Sequence, residues 1–272
     1  MIVDVILITY NQEQYIKQSI DSILMQQLSE DVTMRIIVAD DCSTDNTNAI
    51  IYSTLGDKAV YLPREKNMGH LRNYQRVFKV CNGDYVAILE GDDYWTDVYH
   101  LQTRIDFMES HKDCVLCTQR PVWYYEEEQR YEPFGVIDEG SPAEYISLEE
   151  EIRENRIINL SSCMVRTSAV HALDERIYAC SVLDWPMYAN LAQIGSLYVL
   201  PGSSSIYRAK SSGLYAGMNE QKEKDMDLRL IDEIEAIFPQ YAKYYKEARM
   251  MVQSKKKTLR KRIGELIRRW RR

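Results

Sequence analysis

Two acidic segments of this sequence carry side chains that could do chemistry. The segments VADDCSTDNT (38–47) and VAILEGDDYW (86–95) each place carboxylates directly after an apolar run. In the second segment, Glu90, Asp92 and Asp93 fall within four residues. Ionised carboxylates this close repel one another at neutral pH, and a divalent cation or a ligand with hydrogen-bond donors would relieve the repulsion. Oxygen ligands at this density suit Mg²⁺ or Mn²⁺ bound together with the phosphates of a substrate.

A structural role is the alternative for each of these carboxylates, because Asp residues that follow strands often form turns or cap helices. We interpret Asp45 in this way, since it lies within a Ser-Thr-Asp-Asn turn. For Glu90, Asp92 and Asp93 we favour a functional role. One acidic residue is enough for a turn, and three crowded carboxylates cost stability if nothing uses them.

The elements around these segments alternate between strand and helix over residues 1–120. Apolar, β-branched runs predict buried strands, and apolar residues at helical spacing predict helices between them. The predicted strands are 3–11, 33–39, 59–63, 85–89 and 115–122. This alternation predicts an α/β fold with a mostly parallel sheet flanked by helices. Ligands on such sheets bind outside the carboxyl ends of the strands, where both acidic segments lie.

Further local patterns predict the parts that connect or extend this sheet. Asn11 and Gln14 have the spacing of a capping box at the start of the first helix. Residues 126–154 hold eleven acidic and two basic residues, which predicts an exposed insertion. The Gly- and Ser-rich stretch 202–217 predicts a loop, and 219–254 predict a helix interrupted by a proline.

Charge is divided unevenly along the 272 residues. The segment 255–272 holds ten basic residues and one acidic residue, although the whole chain has a net charge of −7. The body is therefore strongly acidic, and we expect no nucleic-acid partner for it. No apolar run is long enough to span a membrane, and the first residues lack the basic start of a secretory signal. We therefore expect a cytoplasmic protein.

The basic tail also has an apolar face. Its apolar residues recur at helical spacing: Leu259, Ile263, Leu266, Ile267 and Trp270. A basic amphipathic helix with a Trp is typical of a segment that lies on an anionic membrane surface. We predict that 255–272 binds the cytoplasmic face of the membrane peripherally. The alternatives are that the tail folds back on the acidic body, mediates self-association into a homo-oligomer or, least favoured, binds nucleic acid.

Four segments together resemble the inverting family 2 glycosyltransferases in their order and spacing: VDVILITYN, VADDCSTDNT, NMGHLRNYQRVFKVCNGDY and VAILEGDDYW. The resemblance is dense over 1–120 and thinner to about residue 215. It implies an A-type glycosyltransferase fold, a single Rossmann-like, mostly parallel sheet flanked by helices, here with a C-terminal helical extension. The implied organisation is a catalytic domain 1–218 (nucleotide-sugar half 1–120, acceptor half 121–218), a helical extension 219–254 and the basic amphipathic tail 255–272.

The resemblance implies an inverting glycosyltransferase that moves a sugar from a nucleotide-diphosphate donor, a UDP-sugar above all, to an acceptor hydroxyl. The transferred sugar would be a hexosyl or N-acetylhexosaminyl group. The acceptor would be a glycan or a lipid-linked glycan in the assembly of bacterial surface polysaccharide. Two alternatives are a non-catalytic sugar- or lipid-binding relative of the same fold and a sugar nucleotidyltransferase. The latter would require a Gly-rich loop after the first strand, and TYNQEQY contains no glycine.

The resemblance also implies donor-binding residues. Thr9 and Tyr10 match the segment that lines the nucleotide base, and Asp41 matches the carboxylate that accepts from the uracil ring N–H. Arg72 is a further candidate for the phosphates, with a solvated helix position as its equal alternative. The Glu90-Gly91-Asp92 stretch occupies the family's Asp-x-Asp position.

The remaining implied roles concern the metal and the catalytic base. Asp92 and Asp93 lie on the side of the implied Mn²⁺ or Mg²⁺. Asp184 matches the catalytic base, although an Asp before Trp-Pro also suits a helix N-cap. The segment SIYRAKSSGLY (205–215) resembles a Tyr-Arg-x-His loop that closes over the diphosphate, which makes Arg208 and Lys210 donor-binding candidates. Lys210 replaces the His of that loop, and a protonated Lys neutralises phosphate but does not ligate metal.

Overall fold

The computed structural model describes residues 1–135, 138–210 and 219–254. Within these ranges the chain forms one large and one small β-sheet. The strands are β1 (Ile2–Thr9), β2 (Thr33–Asp40), β3 (Ala59–Tyr61), β4 (Tyr85–Glu90), β5 (Tyr94–Trp95), β6 (Cys114–Gln119), β7 (Val122–Tyr125), β8 (Arg130–Pro133), β9 (Glu144–Ile146), β10 (Met164–Arg166), β11 (Ser196–Leu200) and β12 (Ser205–Ala209).

The large sheet has the strand order β3-β2-β1-β4-β10-β6-β11-β9. Strands β1 to β4 run parallel to one another, as do β6 and β11, whereas β10 and β9 are antiparallel to their neighbours. This confirms the predicted α/β fold with a mostly parallel sheet. The small sheet, in the order β5-β12-β7-β8, lies beyond the carboxyl end of β4, because β5 follows β4 after three residues.

Helices flank the large sheet on both faces. They are α1 (Ile16–Leu24), α2 (Thr47–Leu55), α3 (His70–Val80), α4 (His100–Ser110), α5 (Leu148–Arg153), α6 (Thr167–His171), α7 (Asp184–Ile194), α8 (Glu220–Ile237) and α9 (Ala242–Ser254). Side chains of a strand alternate between the two faces of its sheet. In β1, Ile6 and Ile8 accordingly pack into one apolar cluster, and Val5 and Leu7 pack into the other.

The two C-terminal helices are part of the same core as the sheet. They are separated at Pro239, as predicted, because proline cannot continue the hydrogen bonding of a helix. Leu230, Ile231 and Tyr245 are buried in the cluster that contains Ile6 of β1. Among the described residues, no helix is both long and apolar enough to cross a membrane. The predicted tail helix 255–272 lies outside the described ranges.

Several local predictions were wrong. The α1 N-cap is Tyr15, and Asn11, which has a φ of 52°, accepts from the backbone N–H of Thr44 and takes no part in a capping box. The predicted strand 115–122 ends at Gln119, because Pro121 has no N–H to donate to a ladder.

Within the described residues, the predicted insertion 126–154 and the predicted loop 202–217 also contain strands. Residues 126–154 contribute β8 to the small sheet, β9 to the large sheet and the whole of α5. The stretch 202–217 contains β12, which lies between β5 and β7 in the small sheet. Strand β8 was not predicted because strands on a half-exposed sheet hold polar residues and lack the apolar runs that mark buried strands.

Candidate active site

Strand register brings the two acidic segments to either side of the end of β1. Thr9 is paired with Asp40 of β2, and Ile8 is paired with Glu90 of β4. The turn after β4 presses closely on β1, since a Cβ atom at Gly91 would lie 2.6 Å from Thr9 Oγ1. Only glycine fits such an approach. The Thr9 side chain is consequently buried, whereas the adjacent Tyr10 is 44% exposed at the edge.

The carboxylates after β2 are held by the loops around them. Asp40 accepts hydrogen bonds from the Ser43 N–H at 3.0 Å and from its hydroxyl at 2.6 Å, and pairs with Arg64 Nε at 2.7 Å. Asp41 accepts the backbone N–H groups of residues 68–69 at 2.9 and 2.8 Å. Both side chains are almost fully buried. Asp41 thus fixes the loop that leads into α3, and its predicted contact with uracil stays a prediction.

Glu90, the last residue of β4, is a largely covered carboxyl group beside two other carboxylates. The Tyr74 hydroxyl donates to Glu90 Oε1 at 3.0 Å. Burial, together with the nearby charges of Asp93 and Asp92, raises the pKa of Glu90 to about 8 despite the lowering effect of the Tyr74 bond. Glu90 therefore carries a proton over much of the range in which an ordinary Glu is ionised.

Asp93 faces into the protein. Its Oδ1 accepts the Arg208 backbone N–H at 2.8 Å, and its Oδ2 accepts the Ser161 hydroxyl at 2.6 Å and the Asn159 amide at 3.3 Å. Burial raises the pKa of Asp93 to about 7, helped by the charge of Asp92. These bonds tie β12 and the segment before β10 to the turn after β4, so Asp93 organises the edge of the sheet.

Asp92 faces Lys210. The Lys210 Nζ lies 2.5 Å from Asp92 Oδ2, donates to Gln12 Oε1 at 3.1 Å and sits 4.7 Å from the centre of the Tyr15 ring. The Asp92 backbone carbonyl accepts from Arg208 Nε at 2.9 Å. Strand β12 and the residue that follows it therefore hold Asp92 through both its main chain and its side chain.

Arg208 lies in an aromatic cage. Its guanidinium carbon is 4.6, 5.4 and 5.7 Å from the ring centres of Tyr15, Tyr124 and Tyr94. Its NH2 group donates to Gln18 at 2.7 Å, and the side chain is 8% exposed. These contacts anchor β12 against α1, and the predicted contact of Arg208 with the donor stays a prediction.

Asp184 and Glu90 line one pocket of about 270 Å³. Asp184 is the first residue of α7, but the N-cap is Leu183, and no side-chain bond caps the helix. The interpretation of Asp184 as an N-cap is therefore wrong. The Asn155 amide donates to Asp184 Oδ2 at 3.3 Å and so helps to orient the carboxylate.

Three side chains of this pocket were not predicted from the sequence. Trp123 of β7 and Tyr207 of β12 are paired in register, with ring centres 5.0 Å apart. His70, the first residue of α3, lies near Asp184 and Asp41; burial lowers its pKa, while those two charges oppose the shift. The Trp in VWYY was the available signal, because ligand pockets are commonly lined by aromatic side chains.

Arg72 is the donor-binding candidate that lies apart. It lines a separate cleft of about 540 Å³ together with Lys66 and Lys79, and its NH1 group donates to Gln75 at 2.7 Å. The structure thus brings Glu90 and Asp184 into one pocket, with Asp92 and Lys210 at the adjoining edge, and leaves Arg72 outside it. Its predicted phosphate contact stays a prediction.

The side chains present do not fit a resident divalent ion. Asp92 is paired with a lysine, and both oxygens of Asp93 accept hydrogen bonds from the protein. Among the described residues, no three His, Cys, Asp or Glu side chains are grouped so that they could hold a metal ion. The sequence of 211–218, SSGLYAGM, contains none of these residue types.

The model of the family described as glycosyl transferase family 2 matches residues 4–170. An uncharacterised protein of Mycobacterium tuberculosis is 26% identical over 232 residues, which cover 83% of this chain and 64% of that protein. The chain thus spans less than two thirds of the length of such relatives. The Escherichia coli UDP-Glc:α-D-GlcNAc-diphosphoundecaprenol β-1,3-glucosyltransferase WfaP is 30% identical over 111 residues, 41% of this chain and 43% of WfaP.

Among solved structures, S. aureus TarS 1–349 in complex with UDP-GlcNAc is similar to this chain. The TM-score is 0.65 at 20% sequence identity, and the match covers 86% of this chain and 67% of that chain. At this identity the likeness establishes a shared fold. It confirms the predicted A-type glycosyltransferase fold, a mostly parallel sheet flanked by helices.

Proposed function

This chain belongs to glycosyl transferase family 2, and on that basis we propose that it is an inverting enzyme that transfers a sugar from a UDP-sugar to an acceptor hydroxyl. The observation that carries the proposal is the pocket that Asp184 and Glu90 share at the carboxyl edge of the sheet. The UDP-Glc donor of WfaP and the UDP-GlcNAc bound to TarS support a UDP-linked hexose or N-acetylhexosamine as the donor.

Asp184 acts as the general base in this proposal. As the acceptor oxygen attacks the anomeric carbon, its proton passes to the Asp184 carboxylate, and the bond between that carbon and the diphosphate oxygen breaks on the opposite face. One displacement of this kind inverts the anomeric configuration. The Asn155 amide, 3.3 Å from Asp184 Oδ2, helps to hold the carboxylate in place. A positioned base contributes roughly 10²- to 10⁴-fold to the rate.

The donor occupies the edge around the end of β1. Tyr10 is exposed there and offers a surface for the base, while Asp41 would accept the uracil N–H on lone pairs not used by residues 68–69. Trp123 and Tyr207 provide aromatic faces for a sugar ring. The organisation into a catalytic domain 1–218 and a helical extension 219–254 is part of the same proposal.

The implied Mn²⁺ or Mg²⁺ would act as a Lewis acid on the leaving diphosphate. Because the side chains around Asp92 and Asp93 do not fit such an ion, we assign no step to it. The charged groups of this chain that lie at the expected position are Asp92 and Lys210.

A screen of nucleotide-sugar turnover tests the proposal. The protein should release UDP from at least one UDP-hexose or UDP-N-acetylhexosamine, faster when a lipid-diphosphate-linked sugar is supplied as acceptor. Sugar binding without any UDP release would favour the non-catalytic relative. Formation of a nucleotide-sugar from a nucleoside triphosphate and a sugar phosphate would favour the nucleotidyltransferase.

The lipid-linked acceptor is proposed together with membrane binding by the tail 255–272, which lies outside the described residues. Ten basic residues near an anionic surface would each contribute about 1 kcal/mol at low salt. The full chain should therefore pellet with anionic vesicles at low salt and stay in solution with neutral vesicles. A 1–254 truncation should stay in solution with both. Equal pelleting of the two proteins, or of neither, would reject the tail as a membrane anchor.

A further inference from the structure

The ammonium group of Lys210 is held in a site of its own. It contacts the Asp92 carboxylate at 2.5 Å, the Gln12 amide oxygen at 3.1 Å and the face of the Tyr15 ring at 4.7 Å. The Lys210 side chain is only 12% exposed. Fixing a lysine costs side-chain entropy, and three partners around this partly exposed ammonium offset that cost.

The same ammonium still has bonding capacity. Lys carries three N–H donors, and among the described residues Asp92 and Gln12 accept two of them. The third is left for an oxygen of a ligand. The Tyr15 ring also lies 4.6 Å from the Arg208 guanidinium carbon, so two cations next to this ring contact Asp92, Lys210 at its carboxylate and Arg208 at its backbone carbonyl.

This arrangement opposes a divalent ion at Asp92. An ion in contact with Asp92 would lie within a few ångströms of the ammonium, and the Coulomb repulsion between them would be large. Asp93 offers no substitute, because it accepts three hydrogen bonds from Ser161, Asn159 and the Arg208 backbone. The cation that this chain itself supplies therefore occupies the position that an ion would need.

We infer that Lys210 is a tethered cation that binds the donor diphosphate, so that donor binding and sugar transfer require no metal ion. The inference rests on the proposed function. During transfer, the bond between the anomeric carbon and the diphosphate oxygen breaks, and both electrons stay on that oxygen. The Lys210 N–H groups then donate to the diphosphate and stabilise the negative charge that develops.

Calorimetric binding of UDP in EDTA and in Mn²⁺ tests this inference on the full chain. The wild type should bind UDP in EDTA, with an affinity that Mn²⁺ changes less than about threefold. Lys210→Met keeps the length of the side chain but removes its charge, and should weaken binding in EDTA roughly tenfold to hundredfold, the range for a lost charged hydrogen bond. Lys210→Arg should restore most of the affinity, and Lys17→Ala, which breaks an exposed Lys–Asp pair, should change nothing.

Asp92→Asn distinguishes between two roles of this carboxylate, as the ionic partner of Lys210 and as a ligand of a metal ion. If Lys210 contacts the diphosphate, Asp92→Asn releases the ammonium and leaves UDP binding in EDTA intact or stronger. Wild-type UDP binding or turnover that requires Mn²⁺ would overturn the inference and leave the glycosyltransferase proposal standing. Absence of UDP binding both with and without Mn²⁺ would overturn both.

Discussion

The carboxylates that follow β2 and those that follow β4 lie at the same edge of the sheet, on either side of β1, but they have different surroundings. After β2, Asp40 pairs with Arg64 and Asp41 accepts two backbone N–H groups. Burial alone would raise the pKa of Asp45, but hydrogen bonds from Thr47 and Glu13 outweigh it and lower the pKa. These carboxylates hold their loops in place.

After β4, burial and neighbouring charges outweigh the hydrogen bonds, and the pKa values are raised. Burial raises the pKa of Glu90 to about 8 and that of Asp93 to about 7, and Asp92 lies beside them with Lys210 as its partner. Carboxylates that lie close together, with pKa values shifted by burial and by one another, are a common property of active sites. The comparison teaches that the residue type at a strand end does not decide its role. What differs between the two edges is the mutual repulsion of neighbouring carboxylates, because Asp93 accepts three hydrogen bonds from the protein and still has a raised pKa, whereas Asp41 accepts two.

The largest expected effect on stability is at the β2 edge. Asp40→Ala leaves Arg64 without its partner and Ser43 without its acceptor, and should lower the free energy of unfolding by about 2–4 kcal/mol. Asp92→Ala should lower it by less than about 1 kcal/mol, because the Lys210–Asp92 pair is partly exposed. Urea denaturation at neutral pH measures both. Equal losses for the two variants would break the comparison.

The next effect is the pH dependence at the β4 edge. The pKa of Glu90 is raised from 4.5 to about 8 in the folded protein. The contribution of protonated Glu90 to the free energy of unfolding is therefore fully present below pH 4.5 and is lost as the pH rises towards 8. Because Gln does not ionise, the free energy of unfolding of Glu90→Gln should fall by roughly 2–4 kcal/mol less than that of the wild type over this pH range. Unfolding free energies between pH 4.5 and 8.5 show it as a flatter profile for the variant. A profile parallel to that of the wild type would mean that Glu90 is ionised at low pH in the folded protein.

The smallest expected effect concerns the nucleotide base. If Asp41 accepts the uracil N–H, Asp41→Ala should weaken UDP binding by about 1.5–3 kcal/mol. Asp57→Ala, in the 3₁₀ turn after α2, provides a control at a distant position and should bind UDP normally. Calorimetry measures the UDP affinity of both variants and of the wild type. Unchanged affinity in Asp41→Ala would leave Asp41 with the fixing of residues 68–69 as its whole role.

The large sheet could be predicted from the sequence because its strands are buried on both faces and therefore form continuous apolar runs. Strand β1, for example, has seven buried residues in succession after Ile2. The small sheet could not be predicted in this way. Its strand β8, Arg130–Pro133, alternates between buried and exposed positions and lies within a run of acidic residues.

At the site, local motifs identified the acidic residues that lie at the edge of the sheet, but not which contacts each of them makes. Asp92 and Asp93 are adjacent and identical in the sequence. Only the fold shows that Ser161 and Asn159, brought by antiparallel β10, bind Asp93 and leave Asp92 to Lys210. Contacts between residues more than sixty positions apart leave no local pattern from which this could be predicted.

The most direct test of the account is the rate of UDP release by Asp184→Asn, measured on the UDP-sugar that the wild type turns over fastest. The variant keeps the size of the side chain but cannot accept a proton. The control is Asp174→Asn, an Asp that caps a 3₁₀ turn outside the pocket. The account predicts a rate about 10²- to 10⁴-fold lower for Asp184→Asn, with UDP affinity and unfolding free energy unchanged and with Asp174→Asn at the wild-type rate. A near-normal rate for Asp184→Asn at saturating substrate would contradict it.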